Sequence, residues 1–572
     1  MLVSAQDRAV SIAARQSALE AAYGPWRPRT LSAMFDHAAG RFPSRELVVT
    51  DTGACTYAQM QGWSNRLAAG LWALGIRGGD RVAVVLANYP EFVAIKFAIA
   101  RIGAVMVPVN FLNRRDELAY VLRQSEALAL VTMDRFRDLD YLAALDELAP
   151  GWEDHAGGQS FPALRHVVVF EAEGAAAARR TLKLAELERA AGDGAVPAGD
   201  PQAVSDIIYT SGTTGSPKGV MLTNDMLLRS GYGSAYARAF EDGRRILFSL
   251  PLYHVYGYVE GLLAALFVGG AILLQQRFKA EDTLDAVARY GATDLLLIPT
   301  MTLALIAAQQ QNPRDLCSLR AVISSGGRAP AYLWEEITTW LGPVEITTGY
   351  GMTECTASTT VTRPDDPRER LLTTNGRLRD VGAAAVGEPG HRLVQYRALD
   401  PTSGREVPDG EVGELVARGP GVMVGYFNKP AETAAAFTSE GWLRTGDLGR
   451  MSADGYLTLV GRLKESYRCG GETVLPSDVE DVLVLHEHVL QAHVVPVPDE
   501  RMGEAGAAFI IRRPGALLDE EALIQYCRER LARFKVPKYV LSIEAQELPT
   551  TPSGRARKFL LSEMAKRRLG LT

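Results

Sequence analysis

The interpretation of this chain starts from Tyr209-Thr-Ser-Gly-Thr-Thr-Gly-Ser-Pro-Lys-Gly219. This segment follows Asp206-Ile-Ile208, which we predict to be the end of a β-strand. Its glycines let backbone N–H groups turn toward an anion, its hydroxyls add donors, and Lys218 adds a positive charge. The segment is not a Walker A loop, because Pro217 rather than a glycine precedes the lysine. It therefore predicts a phosphate-binding loop rather than an ordinary surface loop.

The sequence around this segment alternates between strand and helix patterns. Residues 81–87 and 105–109 are largely apolar and are predicted strands, with a helix pattern that begins near Tyr89 between them. Residues 295–298 and 321–324 are further short strands, and each runs into a proline or glycine loop. Strand–helix–strand repetition is typical of parallel sheets covered by helices, in which ligands bind beyond the carboxyl ends of the strands.

Three other stretches are interpreted from their local patterns. Thr56 and Gln59 predict a capping box at the start of a helix. Residues 150–203 are rich in alanine and glycine, and we predict that they form a surface excursion. The longest apolar run, residues 261–274, is too short for the roughly 20 residues of a membrane span. It predicts a buried helix that passes into a strand.

The patterns predict an α/β protein whose large N-terminal domain, residues 1–461, consists of stacked α/β subdomains. Residues 375–460 change character, with short strands and many glycines, and predict a small β-barrel-like subdomain within it. From residue 462 the pattern is mixed again. A separate small α+β domain is therefore predicted over residues 462–572.

Composition restricts the class of protein. Hydrophobic residues make up 47% of the chain and charged residues 22%, which is ordinary for a soluble globular protein. The formal net charge of −6 gives no electrostatic footprint for nucleic acid. The five cysteines form no CxxC pair, which argues against a disulfide framework or a zinc ribbon. The first residues lack the apolar core of a signal peptide, so we expect a cytoplasmic protein without an integral membrane segment.

Four further segments occur in the same order as the motifs of a known family. They are Tyr350-Gly-Met-Thr-Glu354, Thr445-Gly-Asp447, Gly461-Arg-Leu-Lys464 with Gly470-Gly-Glu472 behind it, and the terminal run 549–558. With the segment 209–219 they resemble the adenylate-forming superfamily, which includes acyl-CoA synthetases, adenylation domains of peptide synthetases and firefly-type luciferases. The resemblance extends over roughly residues 30–560. It implies that the small domain is mobile and turns about a hinge near residues 462–464.

The resemblance implies a role in ATP binding for most residues of these segments. Tyr350 would stack on adenine, Thr353 would donate to the α-phosphate, and Glu354 would hold Mg2+; the last two are also predicted catalytic residues. Asp447 would accept from both ribose hydroxyls, and Arg462 would reach the ribose or a phosphate. The other implied nucleotide contacts are Thr210, Ser211, Gly212, Thr213, Thr214, Gly215, Lys218, Gly326, Gly327 and Gly351. The implied hinge and thiol-tunnel residues are Lys464, Gly470 and Gly471.

The terminal motif departs from the family at a position that matters for catalysis. The family has a lysine directly after the glycine of its PxGK motif, and that lysine bridges the substrate carboxylate and the α-phosphate. Here Arg555 follows Gly554, and Lys558 comes later. Three outcomes are open: Arg555 takes over the bridging role, Lys558 takes it over, or adenylation is slow. Both residues are predicted catalytic candidates, and we favour Arg555. A milder departure is Arg328, which looks inserted in the loop after residues 321–324 and either contacts the nucleotide or points to solvent.

The segment Pro251-Leu-Tyr-His-Val-Tyr-Gly257 resembles the family segment beside the acyl pocket. His254 either gates the carboxylate end of the substrate, as a catalytic candidate, or is a packed core residue. The predicted substrate pocket is mostly apolar and contains His254, Tyr256, Gly257, Tyr258, Val259, Thr300, Gly349 and Met352. Family members that activate amino acids carry an aspartate soon after the corresponding aromatic residue, whereas here only Glu260 is near. We therefore expect a fatty, alicyclic or aryl acid.

The resemblance implies activation of a carboxylic acid by ATP and Mg2+ through an acyl-adenylate, with release of pyrophosphate and transfer to coenzyme A. Two alternatives stay open: transfer to an amine, which gives an amide, and a degenerate nucleotide-binding member with little turnover. The expected partners are the acid, ATP and coenzyme A, and a homodimer is allowed. A basic cluster would either meet the coenzyme A phosphates or form a solvated helix end; it consists of Arg528, Arg530, Arg533, Lys535 and Lys538.

Overall fold

The computed structural model describes residues 10–174, 179–189, 199–210, 216–327, 329–385, 392–513, 515–550 and 556–571. These residues form an α/β protein with a large N-terminal part and a small C-terminal part, so the predicted fold class is confirmed. Within the described ranges, none of the helices is long and apolar enough to cross a lipid bilayer.

A seven-stranded sheet carries many of the candidate site residues at one edge. Its strands are parallel except for the antiparallel pair Glu46–Thr50 and Gly53–Thr56. Across the sheet their order is Glu345–Thr347, Ala321–Ser324, Asp294–Leu297, Arg245–Phe248, Ala271–Leu274, Glu46–Thr50 and Gly53–Thr56. Apolar side chains of the helices Ala280–Tyr290, Pro299–Gln311 and Leu333–Trp340 pack into one core with this sheet. The strands predicted near residues 295–298 and 321–324 are thus confirmed.

An eight-stranded sheet holds the two strands that flank the predicted phosphate-binding segment. Its order is Gly425–Tyr426, Lys218–Thr223, Val204–Thr210, Val105–Pro108, Arg81–Val85, Ala129–Met133, His166–Phe170 and Leu182–Lys183. Most neighbours are parallel, but Lys218–Thr223 is antiparallel to both strands beside it. The largest core joins both sheets to the helices Ile12–Tyr23, Leu31–Arg41, Tyr57–Ala73, Pro90–Arg101, Arg115–Ser125, Tyr141–Leu148 and Asn224–Ala237.

Three local predictions have different outcomes. The capping box is confirmed, since the Gln59 N–H donates to Thr56 Oγ1 at 3.2 Å and the Thr56 N–H donates to Gln59 Oε1 at 2.8 Å. The apolar run 261–274 passes from helical turns into the strand Ala271–Leu274, as predicted. The surface excursion predicted for residues 150–203 is wrong at residues 166–170. His166–Phe170 is a strand of the eight-stranded sheet, because its valines are buried between neighbouring layers.

The glycine-rich region predicted over residues 375–460 is built from antiparallel strands. A three-stranded sheet contains Gly349–Met352, Ala357–Val361 and Arg377–Leu378, and a four-stranded sheet contains Gln395–Leu399, Gly413–Arg418, Leu443–Met451 and Leu457–Arg462. An antiparallel bridge between Arg377 and Tyr456 links the two sheets, and the barrel-like shape stays a prediction.

The C-terminal part has its own sheet with helices on both faces. The strands are Tyr467–Cys469, Glu472–Val474, Val489–Asp499, Gly503–Arg512 and Tyr539–Ser542. Helices Pro476–Leu483 and Glu520–Arg528 pack with Ala508 and Ile510, whereas helix Lys558–Leu569 packs with Ala507 and Phe509 on the opposite face. Because side chains alternate along each strand, a separate hydrophobic core forms on either face of this sheet.

Candidate active site

The parallel strands of the seven-stranded sheet end at one edge, and the chain leaves them through segments that the sequence had singled out. Those segments are residues 251–258, 299–301, 325–327 and 349–354. The Ser325 hydroxyl donates to the Gly349 carbonyl at 2.6 Å, and the Tyr256 hydroxyl donates to the Leu297 carbonyl at 2.9 Å. The candidate segments therefore lie together at the edge formed by the carboxyl ends of the strands, where ligands of such sheets bind.

Asp447 lies at the centre of the predicted nucleotide side. Its Oδ2 accepts a hydrogen bond from the Tyr350 hydroxyl at 2.6 Å, and its Oδ1 accepts from Arg462 Nε at 2.8 Å. Asp447 and Arg462 are cross-strand neighbours, which explains how the two motifs meet. The Asp447 N–H donates to Thr445 Oγ1 at 3.0 Å, which fixes the turn. Burial raises the pKa of the Tyr350 hydroxyl, so that it remains a donor.

Tyr426 connects the predicted magnesium ligand to the predicted phosphate-binding lysine. Its hydroxyl donates to Glu354 Oε1 at 3.0 Å, and its ring centroid lies 4.7 Å from the Lys218 ammonium. The contact follows from the sheet, since Tyr426 is the strand partner of Val220. Burial raises the pKa of the Glu354 carboxyl. A cation beside it would favour the ionised form, so this buried carboxylate fits a hard cation that shares phosphate ligands.

Backbone strain is concentrated directly after Glu354. Thr356 and Ala357 have φ angles of 57° and 77°, in the left-handed region that such residues rarely adopt. The Thr356 carbonyl accepts a hydrogen bond from the Ser230 hydroxyl at 2.5 Å. A Cβ at Gly351 would lie 2.0 Å from the Ala357 carbonyl oxygen, so only glycine fits the predicted adenine position. The surrounding contacts thus hold a costly turn that fixes Glu354.

The predicted phosphate-binding segment joins two antiparallel strands. Thr210 and Lys218 are register partners at the ends of these strands. The Tyr120 hydroxyl donates to the Pro217 carbonyl at 2.8 Å and ties the segment to helix Arg115–Ser125. The loop residues Ser211, Gly212, Thr213, Thr214 and Gly215 lie outside the described residues, and their role stays a prediction.

The residues predicted to line the acid pocket differ in exposure. Tyr256, Gly257, Tyr258, Val259 and Gly349 are buried, whereas Met352 is half-buried and Thr300 is exposed. His254 Nδ1 accepts a hydrogen bond from the Tyr256 N–H at 3.2 Å. Burial lowers the pKa of His254 to about 4, so the ring is neutral at physiological pH. Its predicted place at the carboxylate end of the substrate stays a prediction.

Glu260, the carboxylate next to the acid-pocket segment, already has a charge partner. Its Oε1 accepts hydrogen bonds from Arg379 Nη1 and from the Ser358 N–H, both at 3.0 Å. The side chains of Glu260 and Arg379 are 1% and 4% exposed. Burial alone would raise the pKa of Glu260, but Arg379 and Arg238 lower it below its ordinary value. The ionised carboxylate is engaged, which supports the expectation that the substrate is not an amino acid.

Lys558 is held by the structure of the C-terminal part. Its Nζ lies 2.6 Å from Glu480 Oε1 and 3.6 Å from Glu465 Oε2. The Val494 N–H also donates to Glu480 Oε1, at 2.7 Å. These contacts tie Lys558 to the C-terminal part, and its predicted catalytic role stays a prediction. Arg555, the favoured candidate, lies outside the described residues.

The predicted hinge falls between two sheets. Lys464 is exposed in the short turn Leu463–Glu465, which follows the last strand of the four-stranded sheet. Gly470 and Gly471 form a hairpin turn with φ angles of 61° and 89°. A Cβ at Gly471 would meet nothing within 4 Å, so this side of the hairpin is open, and the thiol tunnel stays a prediction.

The two glycines predicted to lie against adenine follow the strand Ala321–Ser324. Gly326 has a φ of 85°, and a Cβ at Gly327 would lie 3.6 Å from Pro299 Cδ. The glycine pair therefore comes close to the start of the preceding helix, Pro299–Gln311, beside Thr300. Arg328 is outside the portion of the chain that the structure describes, and the adenine contact stays a prediction.

Comparison with known proteins identifies the family. The profile of the AMP-binding enzyme family matches residues 35–427. The chain belongs to the AMP-binding enzyme family. A second profile, that of the AMP-binding enzyme C-terminal domain, matches residues 478–555 of this AMP-binding enzyme. The resemblance inferred from the motifs is thus confirmed.

The AMP-binding enzyme is similar to known ligases over nearly its whole length. It is 33% identical to the 3-[(3aS,4S,7aS)-7a-methyl-1,5-dioxo-octahydro-1H-inden-4-yl]propanoyl:CoA ligase of Mycobacterium tuberculosis, over 94% of this chain and 99% of that protein. It is 30% identical to the mitochondrial medium-chain acyl-CoA ligase of Danio rerio, over 96% and 90%. Its fold matches ATP-bound MatB from Rhodopseudomonas palustris with a TM-score of 0.80 and 26% identity, over 94% and 99%.

The sequence interpretation missed Tyr426, Arg379 and Glu480. Tyr426 has no motif around it, and its contacts with Lys218 and Glu354 come from sheet pairing. Arg379 had an indirect signal, because a glutamate in an apolar run requires a buried charge partner. The sequence could indicate that such a partner exists but not which residue it is.

Proposed function

We propose that this AMP-binding enzyme is an AMP-forming acid–thiol ligase. The carboxylate of the acid attacks the α-phosphorus of ATP, and the bond to the β-phosphate breaks with release of pyrophosphate. The thiolate of coenzyme A then attacks the acyl carbon, and AMP leaves. The observation that carries the proposal is the hydrogen-bonded group of Tyr350, Asp447 and Arg462 beside Glu354.

The nucleotide is held by groups with separate tasks. The Asp447 carboxylate, fixed by Tyr350 and Arg462, keeps lone pairs for the ribose hydroxyls. Lys218 and Thr210 flank the triphosphate, and Thr353 donates to the α-phosphate. Because these donors and charges are in place before the reaction, they stabilise the negative charge that gathers in the transition state.

Glu354 is the residue that would hold Mg2+. Its carboxylate is buried and bonded on one oxygen by Tyr426, so a single oriented oxygen is offered to a cation that keeps water and phosphate ligands. When bound, the ion supplies positive charge beside the phosphate oxygens. Tyr426 orients the carboxylate and Lys218 together, and Arg462 lies close enough to lower the pKa of Glu354 against the effect of burial.

Coenzyme A is the acceptor favoured by the relatives described above, which are named CoA ligases. The open side of Gly471 supports an approach of the thiol along the hairpin. The basic cluster of residues 528–538 was predicted either to contact the coenzyme A phosphates or to form a solvated helix end, and its contacts favour the second interpretation. Lys535 is paired with Asp478 and Lys538 with Asp499, both at 2.6 Å, which leaves these two ammonium groups engaged.

The carboxylic acid substrate has an apolar tail. The buried residues of the predicted pocket are aromatic or aliphatic, and Glu260 is engaged by Arg379. The two relatives act on a bicyclic propanoate and on medium-chain acids, and both kinds carry a tail without a charge. A fatty, alicyclic or aryl acid fits this pocket better than an amino acid.

A panel of carboxylic acids tests the function. Purified enzyme is incubated with ATP, Mg2+ and each acid, with and without coenzyme A, while pyrophosphate, AMP and thioester are measured. We expect pyrophosphate release that depends on the acid and thioester formation that depends on coenzyme A. AMP release that requires an amine instead would establish the amide-forming alternative. ATP binding without pyrophosphate release for any acid would establish a degenerate member.

Arg555 can be tested in the first half-reaction alone. If its guanidinium bridges the acid and the α-phosphate, Arg555→Ala lowers acid-dependent pyrophosphate release by about 100-fold, as loss of a transition-state donor does. Arg555→Lys, which restores the family residue, retains most of the rate. An Arg555→Ala enzyme with the wild-type rate would contradict the role. Lys558→Ala is the companion variant, and we expect it to lower stability more than the rate of a folded sample.

A cytoplasmic location and a homodimer stay predictions from the sequence. Imaging of a tagged chain tests the first, and light scattering of the purified enzyme tests the second.

A further inference from the structure

The carboxylate of Glu260 lies between two predicted walls of the acid pocket. Glu260 belongs to the helical turns Tyr258–Leu263, which continue the acid-pocket segment. Its other contact, the Ser358 N–H, belongs to the strand partner of Gly351 in the pocket strand Gly349–Met352. The carboxylate therefore lies beside two segments that are predicted to line the acid pocket.

The guanidinium of Arg379 reaches the same place from a different region of the chain. Nη1 donates to Glu260 at 3.0 Å, and Nη2 donates to the Ser230 hydroxyl at 2.6 Å. A cavity of about 10 Å³ adjoins this group, and its lining includes Ser230, Cys355, Ser358 and Arg379. Cys355 directly follows Glu354, so the cavity borders the strained turn after Glu354.

The charges around Glu260 assign its neutralisation to Arg379. Arg238 is also close, but its Nη1 donates to the Glu260 backbone carbonyl at 2.9 Å rather than to the carboxylate. Arg238 Nη2 lies 3.9 Å from Asp294 Oδ1, so that arginine is shared with a second acid. Arg379 is the arginine that donates directly to the Glu260 carboxylate among the described contacts.

We propose that Arg379 is a specificity-determining residue of the acid pocket. Glu260 alone would attract an ammonium group on the acid, and Arg379 alone would attract a carboxylate. Together they cancel, so the enzyme selects acids whose tails carry no charge and rejects both charged kinds. The proposal deepens the proposed function and rests on it, because it names the class of acid that the ligase accepts.

Binding of non-reacting acyl-adenylate mimics tests this without turnover. The probes are acylsulfamoyl adenosines with matched neutral, ammonium-ended and carboxylate-ended acyl chains, each in several lengths. Dissociation constants are measured by calorimetry for the wild type, Arg379→Met, Glu260→Gln and the double variant. Because no reaction is required, failure of the ligase function appears in the acid panel and failure of the specificity role appears here.

The two single variants should shift preference in opposite directions. Relative to the neutral probe, Arg379→Met should gain about tenfold for the ammonium-ended probe, and Glu260→Gln about tenfold for the carboxylate-ended probe. The double variant should return to the wild-type preference for the neutral probe. Arg379→Lys keeps the positive charge and should keep the wild-type ranking.

The proposal is overturned if both folded single variants keep the wild-type ratios within about threefold at every chain length. If one single variant fails to fold, the other still decides, because each predicts its own direction. Binding of the neutral probe by each variant shows that the nucleotide side is intact. A wild-type enzyme that binds a charged probe more tightly than the neutral one would also refute the proposal.

Discussion

Two buried carboxylates in this enzyme each form an ion pair with one arginine, and the two pairs differ in their exposure to solvent. Asp447 and Arg462 are 2% and 24% exposed and come from neighbouring strands. Glu260 and Arg379 are 1% and 4% exposed and are 119 positions apart in the chain. Arg462 of the first pair is partly exposed, whereas both side chains of the second pair are almost fully buried, beside the segments predicted to line the acid pocket.

The difference teaches how the same two residue types serve different ends. An ion pair with a partly exposed member stays in contact with water, and a ligand can replace that water. A fully buried pair is desolvated when the protein folds, and separating its two charges costs much free energy. Asp447 therefore suits ligand binding, whereas Glu260 suits neutralisation by a fixed partner.

Loss of one arginine from each pair gives the largest contrast. Arg379→Met should lower the free energy of unfolding by about 3 to 5 kcal/mol, because it leaves a buried carboxylate unpaired. Arg462→Met should cost less, about 1 to 3 kcal/mol, because the buried Asp447 carboxylate keeps the hydrogen bond from the Tyr350 hydroxyl. Urea denaturation of the ligand-free proteins measures both. Equal losses would contradict the comparison, and recovery in Glu260→Gln/Arg379→Met would sharpen it.

Asp447→Asn should affect catalysis more than stability. The amide loses the charge that strengthens the ribose contacts, and hydrogen bonds to charged groups are worth about 1.5 to 3 kcal/mol. We expect kcat/KM for ATP to fall by about 10- to 100-fold. The matched control is Asp242→Asn, whose carboxylate pairs with Arg45 at 66% exposure. A normal KM for ATP in Asp447→Asn would remove Asp447 from the nucleotide site.

Tyr426 offers a smaller effect that separates two contacts. Tyr426→Phe removes the hydroxyl on Glu354 but keeps the ring beside Lys218. We expect about a fivefold loss in kcat/KM for ATP, the size of one hydrogen bond. Tyr426→Leu removes the ring as well and should lose about twofold to tenfold more. If the Phe and Leu variants behave alike, the cation–π contact has no role in nucleotide binding.

A change far from both pairs should leave activity unaltered. Thr56→Ala breaks the capping box of helix Tyr57–Ala73 and should cost about 1 kcal/mol of stability. Thermal unfolding measures the loss, and the acid-dependent rate of the folded enzyme should equal that of the wild type. A slower rate would show that this helix affects the candidate active site, so that effects on the two ion pairs could not be treated as local.

The nucleotide side was largely predictable because its residues occur in compact motifs. Tyr350, Asp447 and Arg462 were identified from short segments, and the structure brings them into one hydrogen-bonded group. The acid side was not predictable to the same degree. Its residues lie in apolar helical turns that look like core, and Tyr258 and Val259 are buried as core residues are.

Errors in the fold prediction had the same origin. The valines of His166–Phe170 lie between glycine- and alanine-rich stretches, and their place in the eight-stranded sheet depends on the neighbouring strand Ala129–Met133. The pairing of Lys558 with Glu480 was missed for the same reason, because Glu480 belongs to another helix of the C-terminal region. Such contacts have no signature in either segment alone.

The amino-acid sequence by itself determined the fold class, the family and the nucleotide-binding chemistry, because local backbone needs and phosphate recognition are written in short runs of residues. Only the tertiary structure decided that Tyr426 contacts both Glu354 and Lys218, that Lys558 pairs with Glu480, and that Arg379 neutralises Glu260. These are pairings between distant segments. They depend on sheet order and burial, which make a partner necessary but do not mark it in the sequence.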